Sequence, residues 1–399
     1  MNLKNKLTFF LIFFPFLGFI PGIDVQPFFL IFSLSTFLFF SLRNKFKRKD
    51  VILFPLCIVL FLAFALFNDF DKVTIAKGIA SILTPFLITH AINDGLKITE
   101  KQIIIFCLII FSVGLIQLFF NREFLTILVS RSSDAIQRSI ETGRGVRSVF
   151  PEPATFGKQI LLTNILIYSL LISKKKNKLA KQYSILFFVL NILLSQSIYS
   201  IGIHFIFILI FIISFKQKLF LLILIPSLLL VLNTSYVNDF LSENSNYRAF
   251  KLLFRLLDNP SILMNQGAFG RLYNMKISLN NFIEFNYTGS QSIEFSNPNY
   301  TYIDTLFGKY DYRLHQRNYG GAIEYLLMYG FYSIPIFIFI FQKYLGVFKS
   351  NKQYVLLTSF SLFLLFQDGS TSNPFTWFVF IYLTTIFNDK FLHKAKNIL

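Results

Sequence analysis

Apolar runs long enough to cross a bilayer recur from the amino end of this chain to its carboxyl end, separated by short breaks rich in lysine. A helix needs roughly 20 apolar residues to span the hydrocarbon core, and only helices or closed barrels satisfy their backbone there. Repeated through 399 residues, the pattern implies an all-α, polytopic helical membrane protein, a single integral membrane domain over 1–399. Composition agrees: 54% of the residues are hydrophobic and only 15% are charged, which excludes an ordinary soluble enzyme. Cys57 and Cys107, the two cysteines, each sit inside an apolar run, so neither a disulfide framework nor a zinc site is available. Lys4 and Lys6 precede the first run as they would in a signal peptide. No small-residue cleavage site follows and further spans do, so an uncleaved first helix is expected.

In a soluble chain a net charge of +18 would point to nucleic acid; in a membrane protein it reports Lys and Arg held in cytoplasmic loops. No nucleic-acid partner is therefore expected. Read by charge, the spans fall at about Leu7–Ile20, Val25–Leu42, Val51–Phe67, Val73–Ala91, Gln102–Phe120 and Ala154–Ser173. Tyr183–Phe215 follows, then about Leu219–Leu232, Ala322–Phe341, Tyr354–Phe366 and Phe375–Phe387. Tyr183–Phe215 is long for one crossing and short for two. It lies between Lys174, Lys175, Lys176, Lys178 and Lys181 on one side and Lys216 and Lys218 on the other, so both flanks belong on one side and the chain crosses an even number of times. The polar run Ser195, Gln196, Ser197, Ser200, Gly202 marks the break, and the stretch splits near Ser197. About 12 transmembrane helices result, with both termini inside.

Two outward segments exceed simple connectors: a first periplasmic loop over 121–153 and a large periplasmic loop over 233–321. The large one carries Phe250, Leu253, Phe254, Phe282, Phe285, Tyr302 and Leu306 at intervals, which favours an ordered, partly helical cap. By this topology the cytoplasmic segments hold 20 Lys but only Arg43 and Arg48, whereas 10 of the 12 Arg face outward. The positive-inside rule opposes both residue types outside, so insertion does not explain the asymmetry. Arg differs from Lys by a planar fork that grips phosphate or carboxylate with paired hydrogen bonds, so the outer face reads as built for a polyanion. Pairing with acids of the same loop is the plainer account for the large loop, where 8 cationic residues meet 7 acidic ones. It serves less well for Arg138, Arg144 and Arg147, whose neighbouring acids are Asp134, Glu141 and Glu152.

The most concentrated local signal runs from Arg144 through Arg147, Pro151, Glu152 and Pro153 to Gly157, at the mouth of a span. Pro153 suits a first helical turn and Glu152 the positive end of the helix dipole, so a cap accounts for both. A helix start also offers N–H groups to an anion, and two arginines directly precede it, as a diphosphate site at the membrane surface would require. Lys158, about one turn into the apolar span, and Lys77 in an earlier span would add charge to that site by reaching outward.

These residues resemble the bacterial O-antigen polymerases (Wzy) and the wider polymerase and ligase group of polytopic glycosyltransferases. The family pattern is an Arg-containing outer segment, a Glu-Pro-small-residue signature opening a span, then a long periplasmic loop ending in a His or Asn region, an apolar Glu-containing helix and a Gly. Arg147 to Gly157 match the first part. Arg313, His315, Arg317, Asn318, Gly321, Glu324 and Gly330 match the last. Where ligases commonly have their His, counting back from Gly330, this chain has Tyr319, with His315 one helical turn earlier; that weakens a ligase reading. The resemblance implies a metal-independent glycosyltransferase without cofactor at the periplasmic face of the bacterial inner membrane. Undecaprenyl-diphosphate-linked glycan would be its substrate, membrane lipid its solvent, and a chain-length regulator and a flippase its partners. Arg144, Arg147, Arg138, Lys158, Arg313, Arg317 and Asn318 would then serve the diphosphate and glycan, while Glu152 and His315 compete for general base. An O-antigen ligase and a flippase or transporter are the alternatives, though ion-coupled transporters usually keep carboxylates within their spans, and here only Glu324 falls inside one.

Other motifs carry less. Asp69 and Asp71 spell the Asp-x-Asp of nucleotide-sugar transferases but fall in a short outer loop. His90 and His393 fall at helix ends, and His204 lies within a span, where a packed or hydrogen-bonded histidine is the plain reading. Ser195 and Ser197 are suited either to sugar hydroxyls or to the backbone of a helix break.

Overall fold

The computed structural model describes residues 3–18, 25–41, 58–60, 62–63, 72–129, 145–213, 302–305, 308–311, 333–348, 350–366 and 373–396. Within them lie α1 (Leu3–Phe13), α2 (Phe28–Ser41), α3 (Lys72–Asn93), α4 (Glu100–Phe119), α5 (Pro153–Ser173), α6 (Asn177–Leu190) and α7 (Ile198–Phe211). After these come the strands β1 (Tyr302–Thr305) and β2 (Gly308–Asp311), then α8 (Ile334–Phe348), α9 (Lys352–Phe366) and α10 (Pro374–Lys396). Among the described residues three helices are long and apolar enough to cross a membrane: α4, α5, and α6 with its continuation to Ser195. Shorter apolar helices pack around them. The strands form an antiparallel hairpin, Tyr302 opposite Asp311 and Thr305 opposite Gly308, inside the large polar loop. The expected spans Val51–Phe67 and Leu219–Leu232 and most of the large loop lie outside the described residues.

Local chemistry sets the helix ends. Thr99 and Gln102 open α4 with a capping box: the Thr99 N–H donates to Gln102 Oε1 at 2.9 Å while Thr99 Oγ1 accepts from the Gln102 N–H. At the other end of α5, Lys175 turns left-handed (φ 60°), letting the N–H groups of Lys174 and Lys176 reach the Leu171 carbonyl and the chain reverse into α6. Several boundaries differ from the expectation. The first helix is Leu3–Phe13 and not Leu7–Ile20, because Pro15 has no N–H to donate and disfavours helix in the residue before it. The helix expected from Tyr183 begins at Asn177, so Lys178 and Lys181 ride its first turns with exposed heads.

The α6–α7 stretch does reverse where the polar break predicts. α6 passes into a π-helical turn, Asn191–Ser195, then Gln196 takes a left-handed conformation (φ 47°) and α7 returns. Side-chain contacts fix the directions: Asn164 of α5 meets Ser184 of α6 and His204 of α7, and Tyr168 meets Phe207 and Phe211. The turn therefore sits beside the start of α5, and both free ends of the hairpin sit toward its finish.

Charge is sorted between the two ends of the bundle. At one end Lys4 pairs with Asp94 at 3.2 Å, beside His90 at 3.0 Å from the same carboxylate, and Lys174 and Lys176 reach Glu100 at 2.8 and 3.6 Å. At the other end meet the finish of α4, the start of α5 and the α6–α7 turn. α5 runs through the middle with almost every residue buried, and α10 packs beside it, its Phe375, Trp377, Phe378 and Phe380 each 0–1% exposed. The apolar faces of α4 (Ile105, Leu108, Ile109) and α6 (Ile185, Leu186, Val189) stay exposed. Wide apolar faces on helices of this length are the surface a membrane protein offers to lipid.

Candidate functional site

The candidate anion site begins where α5 starts. Pro153 occupies the first helical position, where its missing N–H costs nothing, and Glu152 precedes it as N-cap with extended backbone (φ −144°, ψ 155°). The Glu152 carbonyl accepts the first helical hydrogen bond, from the Phe156 N–H at 3.0 Å. Its half-buried carboxylate makes no capping bond to the helix, so capping accounts for the residue's position and not for its side chain.

Upstream, residues 145–150 form a turn sunk into the bundle. Arg147 is 5% exposed, and Ser148 and Phe150 are fully buried. Phe150 stacks on Phe156 at 5.5 Å and meets Phe16 edge-on at 5.8 Å, which anchors the turn from α5 and from the finish of α1. Ser148 has left-handed backbone (φ 53°), which costs a non-glycine residue about 1 kcal/mol unless its surroundings hold it. Gln117 of α4 holds it. Its Oε1 accepts the Ser148 N–H at 2.7 Å, and its Nε2 donates to the Ser148 carbonyl at 2.9 Å and to the Phe124 carbonyl at 2.8 Å. The Ser148 hydroxyl donates to the Ile110 carbonyl at 2.7 Å. On the other side of Arg147, the Val146 N–H donates to the Leu194 carbonyl of the π turn at 2.8 Å.

That turn is built on a closed polar network, all of it 0–1% exposed: Asn164, Ser184, Asn191, Ser195, Ser200 and His204. Asn191 Oδ1 accepts from Ser195 Oγ at 2.5 Å and from Ser200 Oγ at 3.3 Å, its Nδ2 faces His204 Nδ1 at 3.1 Å, and Asn164 faces His204 Nε2 at 2.8 Å. A neutral imidazole has one N–H and one lone pair, so the two amides cannot both present NH2 to it. The pattern closes when Asn164 turns its Oδ1 to the His204 Nε2–H and gives its Nδ2 to Ser184, whose O–H donates to the Ala180 carbonyl at 2.9 Å. Gly157 makes room for this cluster: a Cβ there would meet Ser200 Oγ, Ser195 Oγ and Asn191 Oδ1 at or inside contact distance. Ser195 thus spends its hydroxyl on the helix break and is not presented to a sugar. His204 is the hydrogen-bonded histidine the sequence suggests.

Of the expected site residues the structure describes Arg147 in the turn before α5, Glu152 at its N-cap and Lys158 in its second turn, half-buried. Arg138, Arg144, Arg313, His315, Arg317 and Asn318 lie outside the described residues, as do Asp69 and Asp71 and the side chain of Lys77. Gln117 is the residue the sequence reading missed. A lone Gln inside an apolar run, four residues before the polar break that ends it, is the signal that could have found it, since a membrane-depth amide must bond to something. No protein-family model, curated protein or solved structure matches the chain.

Proposed function

We propose that this chain polymerises surface polysaccharide, joining undecaprenyl-diphosphate-linked repeat units at the outer face of a bacterial inner membrane. The single observation that carries the reading is Arg147, held in a buried, fixed turn directly before the N-terminus of α5, at the end of the bundle away from the Lys4, Lys174 and Lys176 ion pairs. In the reaction, an acceptor hydroxyl attacks the anomeric carbon of the donor. The new glycosidic C–O bond forms as the bond to the lipid diphosphate breaks, and the hydroxyl proton passes to a base, Glu152 or His315. Negative charge grows on the departing diphosphate, and a guanidinium fixed in a poorly hydrated turn stabilises that charge more than a mobile one in water. Arg144, Arg138, Lys158, Arg313, Arg317 and Asn318 are the further groups assigned to diphosphate and glycan, and a flippase and a chain-length regulator are the partners such a reaction calls for.

A transporter is the reading that the broken α6–α7 hairpin would favour, because broken helices at membrane depth often hold substrates. Against it stands the network itself, whose amide, hydroxyl and imidazole groups are engaged with one another. The test is purified protein in liposomes given lipid-linked repeat units alone. A polymerase makes a ladder of longer lipid-linked glycans without nucleotide sugar, ATP or added metal. A ligase needs lipid A core as acceptor, and a flippase moves the units without lengthening them. Well-folded protein that makes no ladder sinks the polymerase reading.

A further inference from the structure

We infer that Gln117 and Gly145 are positioning residues for Arg147: two separate clamps, one on α4 and one on the π turn, grip the backbone on either side of it. The inference rests on the reading of Arg147 as the diphosphate ligand. The first clamp is the Gln117 carboxamide, which uses one acceptor and both donor hydrogens on Ser148 N–H, Ser148 C=O and Phe124 C=O. Among uncharged planar side-chain groups only a carboxamide combines an acceptor with two donor hydrogens, as this clamp uses, and Asn is one methylene too short to keep the reach. This clamp fixes the left-handed Ser148 and so sets the direction in which the chain leaves Arg147.

The second clamp grips the chain as it arrives. Val146 N–H donates to the Leu194 carbonyl at 2.8 Å, and Gly145 lies so close to the turn that an added Cβ would collide with the carbonyls of Leu194 and Ser195. Any larger residue at 145 must lift the segment off the turn and stretch the Val146 bond. The turn cannot follow, because Asn191, Ser195 and His204 hold it from within the bundle. Neither clamp touches the guanidinium's ligand. Both fix where its Cα sits, and a displacement of about 1 Å at a charge-stabilising group is enough to cost about a hundredfold in rate.

The experiment reads position and activity separately in the full-length protein. In a Cys57→Ala, Cys107→Ala background, Arg147→Cys reports the exposure of the site through its rate of reaction with a soluble maleimide, and Ser169→Cys, buried within α5, reports the bundle. Gln117→Ala or Gly145→Ala should each raise the rate at position 147 at least about tenfold, the change expected when a fixed buried site opens, and leave position 169 unchanged. With Arg147 intact, each should lower turnover in the ladder assay by about a hundredfold while KM for the lipid-linked unit moves less than about threefold, because what is lost acts on the leaving charge. An unchanged rate at 147 in both variants overturns the clamps, and so does an equal rise at 147 and 169, which would mean general loosening. A rise at 147 alone, with a wild type that makes no ladder, upholds the clamps and rejects the polymerase.

Discussion

Arg147 is the residue at which charge and geometry separate. If its planar fork grips a diphosphate, Arg147→Lys keeps the charge and loses the paired hydrogen bonds, so most turnover should vanish at normal protein level. Arg147→Ala should cost about 3 kcal/mol of transition-state stabilisation, the range seen when a preorganised donor is removed. Ladder turnover at matched expression measures both, and full activity in Arg147→Lys would leave only a generic electrostatic role. The place of Arg147 and Glu152 before the start of α5 was legible in the sequence because Arg, Glu and Pro cluster at the opening of an apolar run. The residue that holds the turn after Arg147 was not: Gln117 sits 31 positions from Ser148, and nothing local links the two. Burial of Arg147 was also invisible, since outward arginines of a loop read as solvated until the loop is seen to fold into the bundle. Asn164 is the comparable residue in the interior. Asn164→Ala leaves His204 and Ser184 without a partner they now have, and should lower stability by about 1–3 kcal/mol, read as a fall in thermal unfolding temperature in detergent.

At the scale of elements, the α6–α7 hairpin shows what charge flanks and polar breaks can and cannot reveal. Lysines at both ends required an even number of crossings, and Ser195 to Ser200 located the reversal. The π turn was not legible, because it closes the helix, and no further turns follow in which a shifted apolar face would show. It becomes intelligible with the contacts in hand. The wider turn directs the Asn191 side chain to His204 and leaves the Leu194 carbonyl for Val146, so a helix defect at membrane depth has its backbone partner. The polar character of that face also explains why α5, and not a more apolar neighbour, lies at the centre: its Gly157 and Asn164 admit and bond the hairpin. Gly157→Ala tests this packing directly. A methyl group directed at Ser200, Ser195 and Asn191 has no space, so α5 and the hairpin must separate, at a cost of about 1–3 kcal/mol in unfolding free energy. Gly202→Ala, one turn into α7 with nothing near its added Cβ, is the control and should not destabilise, since Ala is the better helix former there.

Across the described residues the most legible features were the apolar helices, α4, α5 and α6 above all, because bilayer thickness acts on composition and needs no contact to be known. Element ends departed from the apolar limits: α1 stops at Phe13 where Pro15 breaks it, and α10 runs to Lys396 past the limit expected at Phe387. One global quantity remains to be measured, the side of the membrane on which each end lies. Among the described residues, the end bearing Lys4, Lys174, Lys175 and Lys176 holds more basic residues than the end bearing the α6–α7 turn, and each such residue near a span resists translocation. By that rule the lysine end would lie in the cytoplasm and the Arg147 turn and Gln196 outside, the orientation the proposed function requires. Asn177 and Gln196 are both exposed and stand at opposite ends of one continuous helical stretch, so a single pair of cysteines decides the orientation. In the Cys57→Ala, Cys107→Ala background, Gln196→Cys should react with an impermeant thiol reagent in intact spheroplasts, and Asn177→Cys only after permeabilisation. The reverse result would put the lysines outside and Arg147 in the cytoplasm, where a lipid-linked glycan exported before polymerisation could not reach it, and the proposed reaction would fall with the topology.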